Sequence, residues 1–362
     1  MAREISVAIP QLTGGGAEKI TTRLAARLHA EQGLSCLYTG DRTGAELLAG
    51  LPIVDLKAPR ALQAVPSFLR LVGEDPAAAF LLTLGYINLA PLVRLRRRRA
   101  RVVLRIGNTP GPELKLLSPL GRARYLASMR LALHTADAVV VQSRYMGQDL
   151  CRLFPGIEEK LVVIYNFVED ELWEWRAPDS PPVSKPYLFC AASMKPQKGL
   201  DVLLAAFARS DRRRLTRLVV AGVYPANSAF TQIMVDNGLG EDEVLRLGFV
   251  PAPYAWIAHS ESCVLASRFE GFSNFLLEAA ALGKRIVATD CPGGNAELFQ
   301  HYPNVEAVPV EDVQALAGAL DGPRNDVERS EARSMLAPFD EQEIYDRYVD
   351  VLTAGRPATV GA

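Results

Sequence analysis

A chain of 362 residues that is 49% hydrophobic and 22% charged has the make-up of an ordinary globular protein of roughly two domains, each able to bury its own core. Its 40 Lys plus Arg against 41 Asp plus Glu leave a formal charge of -1, which excludes a global field that would draw it to nucleic acid. The 5 cysteines are scattered, with no CxxC pair and no His at metal-ligand spacing; this argues against a disulfide scaffold and a zinc site and for reduced thiols in a cytoplasmic setting.

The chain enters directly on the apolar run Ile5 to Ile9, without the basic start and cleavage site of a leader, so no signal segment is expected. From there, short apolar runs bounded by turn residues alternate with amphipathic segments, the rhythm of parallel strands covered by helices. Strands are predicted at 5–9, 34–39, 79–84, 101–106, 138–142 and 161–165, with an amphipathic helix over about 17–32. The uncharged stretch 77–93 is interrupted by Thr83, Gly85, Tyr86, Asn88 and Pro91, which makes it a buried strand followed by a helix rather than a membrane span. Arg94, Arg96 to Arg99, Arg101 and Arg105 then form a dense basic patch.

Residues 166–186 hold Pro178, Pro181, Pro182 and Pro186 with acidic Glu169, Asp170 and Glu171, and read as an inter-domain linker, assigned to 169–186. The strand pattern restarts at 187–191, 217–221, 245–247, 263–265, 285–289 and 305–308. One amphipathic helix is predicted over 339–354, with disorder beyond Ala354. The reading is α/β: two Rossmann-like, doubly wound domains over 1–168 and 187–338, facing across a cleft that holds the site.

The sharpest segment is Arg268-Phe-Glu270-Gly271-Phe272-Ser273-Asn274-Phe275, continuing through Glu278 to Gly283. Ser273 is a good N-cap, so a helix should begin near Asn274 and end near Gly283. Its first-turn N–H groups and dipole make a phosphate cradle. Glu278 lies roughly 6 Å along the axis from Asn274 and Glu270 sits on the loop above, so two carboxylates flank that cradle and suit sugar and ribose hydroxyls. A loop carboxylate and a solvated helix residue are the plainer alternative for such a pair taken alone.

Glu270 and Glu278 resemble the E-x7-E signature of the retaining family 4 glycosyltransferases, which have the two-domain GT-B fold, and the resemblance runs from about Ile5 to Leu352. It implies that Glu270 contacts the donor sugar, that Glu278 holds the ribose, and that the amides of Phe272, Ser273, Asn274 and Phe275 bind the diphosphate. The segment Ser193-Met-Lys195-Pro-Gln-Lys198-Gly199 is similar to the family's GRL-x-P-x-KG, with Lys198 as the diphosphate lysine and Ser193 in place of its Arg. Lys195 is a candidate substitute, as a point charge without the bidentate geometry of Arg. Gly14-Gly15-Gly16-Ala17-Glu18 looks like the family's GGAE loop, implying donor contacts at Gly15 and Gly16; a plain strand-to-helix turn is the simpler view of three glycines. Thr289-Asp290-Cys-Pro-Gly293-Gly294-Asn-Ala-Glu297 is similar to the donor-lining T-D-x-x-G-G-x-x-E, and Asn166 matches a structural N-x-V turn. The last helix resembles one that crosses back onto the N-terminal domain. Where many members carry His-x-His, this chain reads Leu84-Gly85-Tyr86-Ile87-Asn88, so Tyr86 or Asn88 would have to replace the His; His29, His134, His259 and His301 read as surface or packed residues.

The resemblance implies a hexosyltransferase-type enzyme that moves a sugar from a nucleoside diphosphate, most commonly UDP, to an acceptor hydroxyl of a glycan, a lipid-linked carrier or a small molecule, with no metal and no further cofactor. The acceptor would be read by 57–66 and 107–121. Arg94 to Arg105 would then touch anionic membrane at its inner face where the acceptor is lipid-linked, against the simpler view of a solvated helix end. The rivals are a sugar-nucleotide epimerase, a phosphorylase (for which the chain is short), a nicotinamide enzyme kept barely alive by Asp41, and an inactive GT-B protein that binds nucleotide or an assembly partner.

Overall fold

The computed structural model describes residues 4–58 and 60–354, so the expectation of disorder beyond Ala354 lies outside the described residues. By internal packing the chain divides into two units. One runs to Asn166 and resumes at Gln342; the other is Phe167–Glu341.

The first unit is built on a parallel sheet of β1 (Ile5–Ile9), β2 (Leu34–Thr39), β3 (Ile53–Asp55), β4 (Ala79–Thr83), β5 (Arg101–Arg105), β6 (Ala138–Val141) and β7 (Leu161–Val163), in the order β3-β2-β1-β4-β5-β6-β7 among the described residues. Strands β1, β4 and β6 are buried along their whole length, which is why they read as continuous apolar runs rather than alternating ones. One face of the sheet, with Leu82, Leu104 and Val139, packs on Phe68, Val72, Val93, Met129 and Leu133. β3 was not among the predicted strands: it has three half-buried residues and is recruited only by pairing with β2 through Leu37 and Ile53.

The sheet of the second unit comprises β8 (Tyr187–Ala191), β9 (Arg217–Ala221), β10 (Val244–Gly248), β11 (Ser262–Leu265), β12 (Ile286–Thr289) and β13 (Val305–Val308), in the order β10-β9-β8-β11-β12-β13 and again parallel among the described residues. Leu188, Leu218, Val220 and Val264 pack on Leu203, Phe207, Phe230 and Leu316. Residues 169–186 carry the short helix Asp170–Glu174 with Leu172 buried, and the Arg329 guanidinium donates to the carbonyls of Leu172, Trp173 and Trp175, so this stretch belongs to the second unit.

Of two sequence expectations in this unit, the first holds and the second changes with the structure. The stretch 77–93 is β4, a 3-10 turn Leu84–Leu89 and the helix Ala90–Arg96, and among the described residues no helix is long and apolar enough to cross a membrane. The segments 57–66 and 107–121, taken as loops, are largely helical, because the helix Ala61–Glu74 covers most of the first and the helices Pro110–Lys115 and Pro119–Thr135 most of the second.

The arginine run does not act as one patch. Arg94 donates to the carbonyls of Arg98, Ala100 and Thr135 and pairs with Asp137 at 2.8 Å. Arg105 is 1% exposed and donates to the Tyr348 hydroxyl (3.0 Å) and to Asn166 Oδ1 (2.7 Å). Tyr348 lies on the helix Glu341–Thr353, and Arg101 also bonds that helix through the Val351 carbonyl, so both arginines fasten the returning segment to the first sheet. Arg96, Arg98 and Arg99 are the exposed part of the run.

Candidate active site

In the second unit the parallel strands deliver their carboxyl-terminal loops to one edge of the sheet, where ligand sites of such sheets form. The loop after β8 carries Lys198, that after β11 carries Glu270, and that after β12 carries Gly293 and Gly294. Lys198 Nζ meets Glu270 Oε1 at 2.6 Å, and the same oxygen accepts the Ser267 hydroxyl at 2.6 Å. Glu270 is 5% exposed, so its carboxylate is oriented by two donors before any ligand arrives.

The backbone explains why the loops can meet. Gly199 has φ +58, and a Cβ there would stand 2.0 Å from the Ala266 carbonyl oxygen; Gly293 has φ +143, and its Cβ would stand 2.0 Å from the Glu270 carbonyl oxygen. Only glycine permits both the close approach and the left-handed conformation. The strands of contact are completed by Arg268 N to Gln197 O (2.7 Å), Glu270 N to Pro292 O (2.9 Å) and Gly294 N to Gly271 O (2.8 Å). Gln197 Nε2 adds a bond to Phe269 O at 2.9 Å, and Thr289 Oγ1 to Ser267 O at 2.5 Å.

The helix starts as its sequence predicts. Ser273 is the N-cap, its hydroxyl accepts the Leu276 amide at 3.3 Å, and the helix runs Asn274–Ala281 before Gly283 turns the chain at φ +73. One expected donor is taken: the Ser273 amide donates to Asn295 Oδ1 at 3.1 Å, a buried side chain on the following helix. The amide set proposed for a diphosphate therefore loses Ser273, while Asn274 and Phe275 stay in the first turn and Phe272 precedes the cap. Glu278 is one turn further along that helix and half-buried.

Ser193 and Lys195 lie on the loop before Lys198; Lys195 is exposed and its amide bonds the Ser193 carbonyl. The supporting residues Gln197, Ser267, Arg268 and Asn295 were not singled out from the sequence. Arg268 donates to Pro196 O at 2.5 Å and to Asp201 Oδ2 at 2.7 Å and pairs with Glu311, so it clamps the Lys198 loop from below. Cys190 and Cys291 feel the charges of Lys198 and Glu270, but burial pushes each thiol up to about 12, so neither is a thiolate nucleophile.

The remaining predicted positions lie in the first unit. Gly15 caps the helix Gly16–Glu31, its amide donating to Glu18 Oε2 at 3.0 Å, while Gln11 Nε2 holds the other oxygen at 2.9 Å; Glu18 thus supplies the one half of a capping box that a glycine N-cap allows. Tyr86 does not present its hydroxyl to a ligand, because it is fully buried and donates to Ala58 O at 2.6 Å. Asn88 is exposed and bonds Gly85 O at 3.2 Å. Asn166 is held by Arg105, the structural part assigned to it.

Both units resemble known proteins. Residues 185–322 match the family described as glycosyl transferases group 1, and residues 15–166 match the glycosyl transferase 4-like domain. The N-acetylgalactosamine-N,N'-diacetylbacillosaminyl-diphospho-undecaprenol 4-alpha-N-acetylgalactosaminyltransferase of Campylobacter jejuni is 25% identical over 310 residues, 82% of this chain and 83% of that one. Among solved structures, Anabaena HepE in complex with UDP-glucose has a TM-score of 0.79 at 18% identity, covering 97% of this chain and 100% of that chain. Sucrose-phosphate synthase from Thermosynechococcus elongatus has a TM-score of 0.79 at 17% identity, with 96% and 98% covered. With two parallel-sheet units, both family matches and these neighbours, the chain belongs to the family 4 type of glycosyltransferase and has the GT-B fold.

Proposed function

We propose that the protein is a retaining glycosyltransferase that uses a nucleoside-diphosphate sugar, UDP-linked by preference, without a metal. The carrying observation is the Lys198, Glu270 and Ser267 cluster beside the N-terminus of the helix Asn274–Ala281. In the proposed step the acceptor oxygen bonds to the anomeric carbon as the bond from that carbon to the diphosphate oxygen breaks. The acceptor proton passes to the leaving phosphate oxygen, so the products are the glycoside and the nucleoside diphosphate. Lys198 and the first-turn amides of Asn274 and Phe275 stabilise charge on the leaving group, Glu270 orients the sugar, and Glu278 takes the ribose. Gly293 and Gly294 admit the donor close to the backbone.

The acceptor is proposed to be a diphosphate-linked sugar on a lipid carrier, as the name of the Campylobacter relative states for that enzyme. Support on this chain comes from exposed Leu95, Arg96, Arg98 and Arg99 at the end of one helix, and from exposed Leu116, Leu120, Arg122 and Arg124 around the start of the helix packed beside it, a mixture suited to an anionic membrane surface on the cytoplasmic side.

The test is incubation of the full chain with UDP-sugars and lipid-linked acceptors, reading UDP release and the anomeric proton of the product. Transfer with retention, lost by orders of magnitude in Glu270→Ala, is the expected result. A second reading, nucleotide binding without turnover, is favoured by Ser193 in place of an Arg and by the committed Tyr86 hydroxyl. It would show as UDP binding that Glu270→Ala leaves intact, with no transfer to any acceptor.

A further inference from the structure

We infer that Phe339 is a positioning residue for the proposed transfer, its ring setting the place of the Glu270 loop through Phe272. This rests on the transferase reading and adds to it a residue outside every donor-facing segment.

Phe272 lies between Glu270 and the N-cap Ser273, and the backbone on either side of it is fixed by the start of the following helix, Asn295–His301. Gly294 N donates to Gly271 O at 2.8 Å, and Ser273 N donates to Asn295 Oδ1 at 3.1 Å. The other end of that helix, about 10 Å away, carries His301, whose ring meets the Phe339 ring in a T-shaped contact with centroids 5.4 Å apart. Phe339 in turn packs on the Phe272 ring at 5.5 Å and 48°. The supports thus close on themselves, from the loop backbone through one helix to His301, to Phe339, and back to the loop at Phe272.

Phe339 is pinned in its own right. It is fully buried, ends the 3-10 turn Ala337–Phe339, and its carbonyl accepts the Val168 amide at 2.9 Å. Two residues on, the fully buried Glu341 accepts the Asp170 amide at 2.9 Å. The segments by which the chain enters and leaves the second unit are therefore tied to each other and, through one ring, to the loop that carries Glu270. Aromatic contacts of this kind fix orientation as well as distance, which an aliphatic side chain does not. The amides of Asn274 and Phe275 belong to the helix Asn274–Ala281 and keep their place without Phe339. A shift of the Glu270 loop alone misaligns the sugar and leaves the grip on the diphosphate, so the loss falls on kcat and not on nucleotide affinity.

Initial rates of UDP release from UDP-sugar and acceptor, calorimetric titration with UDP, and thermal unfolding of the full chain test this in Phe339→Leu. Phe230→Leu is the comparison, an equally buried Phe-to-Leu change in the core of the same unit. Both should lower the melting temperature, but only Phe339→Leu should lower kcat, by about 10- to 100-fold for a displacement of up to about 1 Å, with UDP affinity retained. His301→Ala, at a half-buried position, removes the support on Phe339 and should lower kcat by a smaller factor. A kcat for Phe339→Leu no lower than that of Phe230→Leu, or UDP affinity lost in step with kcat, overturns the positioning role; where Phe339→Leu does not fold, an unchanged kcat in His301→Ala overturns it. Wild-type protein that binds UDP and transfers from no UDP-sugar overturns the transferase reading and the positioning role with it.

Discussion

Removing Lys198 while keeping its bulk, as in Lys198→Met, separates what the ion pair does for the fold from what it does for chemistry. Glu270 is 6% exposed at the side chain and Lys198 22%, with 2.6 Å between their charged atoms. Deleting one partner of a buried pair costs about 3–5 kcal/mol because the other charge is stranded. Here the ammonium is partly hydrated and Ser267 still donates to the carboxylate, which lowers the expected cost to about 2 kcal/mol. In a unit of this size that is a fall in melting temperature of about 4–8 °C. Adding Glu270→Gln removes the stranded charge and should recover most of the loss, because the amide still accepts from Ser267. Transfer should be abolished in both single variants and in the double. Thermal unfolding by circular dichroism, run beside UDP release from UDP-sugar and acceptor, reads both effects on the same samples. A Lys198→Met protein that melts with the wild type, or a double variant no more stable than Lys198→Met, refutes the claim that the pair is a buried, coupled one.

Gly293→Ala puts a methyl carbon 2.0 Å from the Glu270 carbonyl oxygen at φ +143, so the loop must move; a shift of about 1 Å is expected to lower kcat/KM by up to about 100-fold, measured by initial rates of UDP release. Tyr86→Phe strands the buried Ala58 carbonyl and should cost about 1–3 kcal/mol in denaturant unfolding with kcat unchanged, whereas a loss of kcat at constant stability would make Tyr86 a substrate-touching residue after all. The Arg213 hydrogen bond holds the Glu243 carboxyl below its ordinary range. A depressed folded-state pKa adds stability above the unfolded carboxylate value and loses it as pH falls through the folded one. Glu243→Gln should therefore cost up to about 1 kcal/mol at neutral pH, discounted because the pair is partly exposed, and the difference from wild type should vanish in acid melting curves. Tyr348→Phe removes the Arg105 Nε acceptor in the first unit and should lower its unfolding midpoint by about 1 kcal/mol equivalent while leaving UDP affinity in the second unit untouched.

Strands buried on both faces announce themselves as apolar runs, which is why β1, β4 and β8 were readable from composition alone. β3 carries no such signal: Ile53–Asp55 is short, half-buried and defined by its neighbour. Within the site, the cap and the turn at either end of the helix Asn274–Ala281 are local chemistry and were legible. The residues that hold Glu270 in place were not. Ser267 and Lys198 bond one oxygen from different strand ends, and Gln197 reaches Phe269 across 72 positions, a proximity that only the sheet order creates. The Tyr86 hydroxyl shows the opposite failure. Its polar tip suggested a ligand contact, and the fold spends it on the carbonyl of Ala58. Spacing along the Arg94 to Arg105 run likewise does not tell Arg96, Arg98 and Arg99, which face water, from Arg105, which bonds Tyr348 and Asn166.

The return of the helix Glu341–Thr353 to the first unit has a consequence for biosynthesis. The first seven strands leave the ribosome early, yet the Val351 carbonyl that meets Arg101 and the Tyr348 hydroxyl that meets Arg105 are encoded after about 175 intervening residues. At 5–20 residues per second, that interval lasts roughly 10–35 s. During it the nascent first unit holds a buried-to-be guanidinium without its tyrosine, and the second unit is free to complete itself. The portion made first is thus finished last, and nascent-chain proteolysis should find it protected only once Tyr348 has emerged.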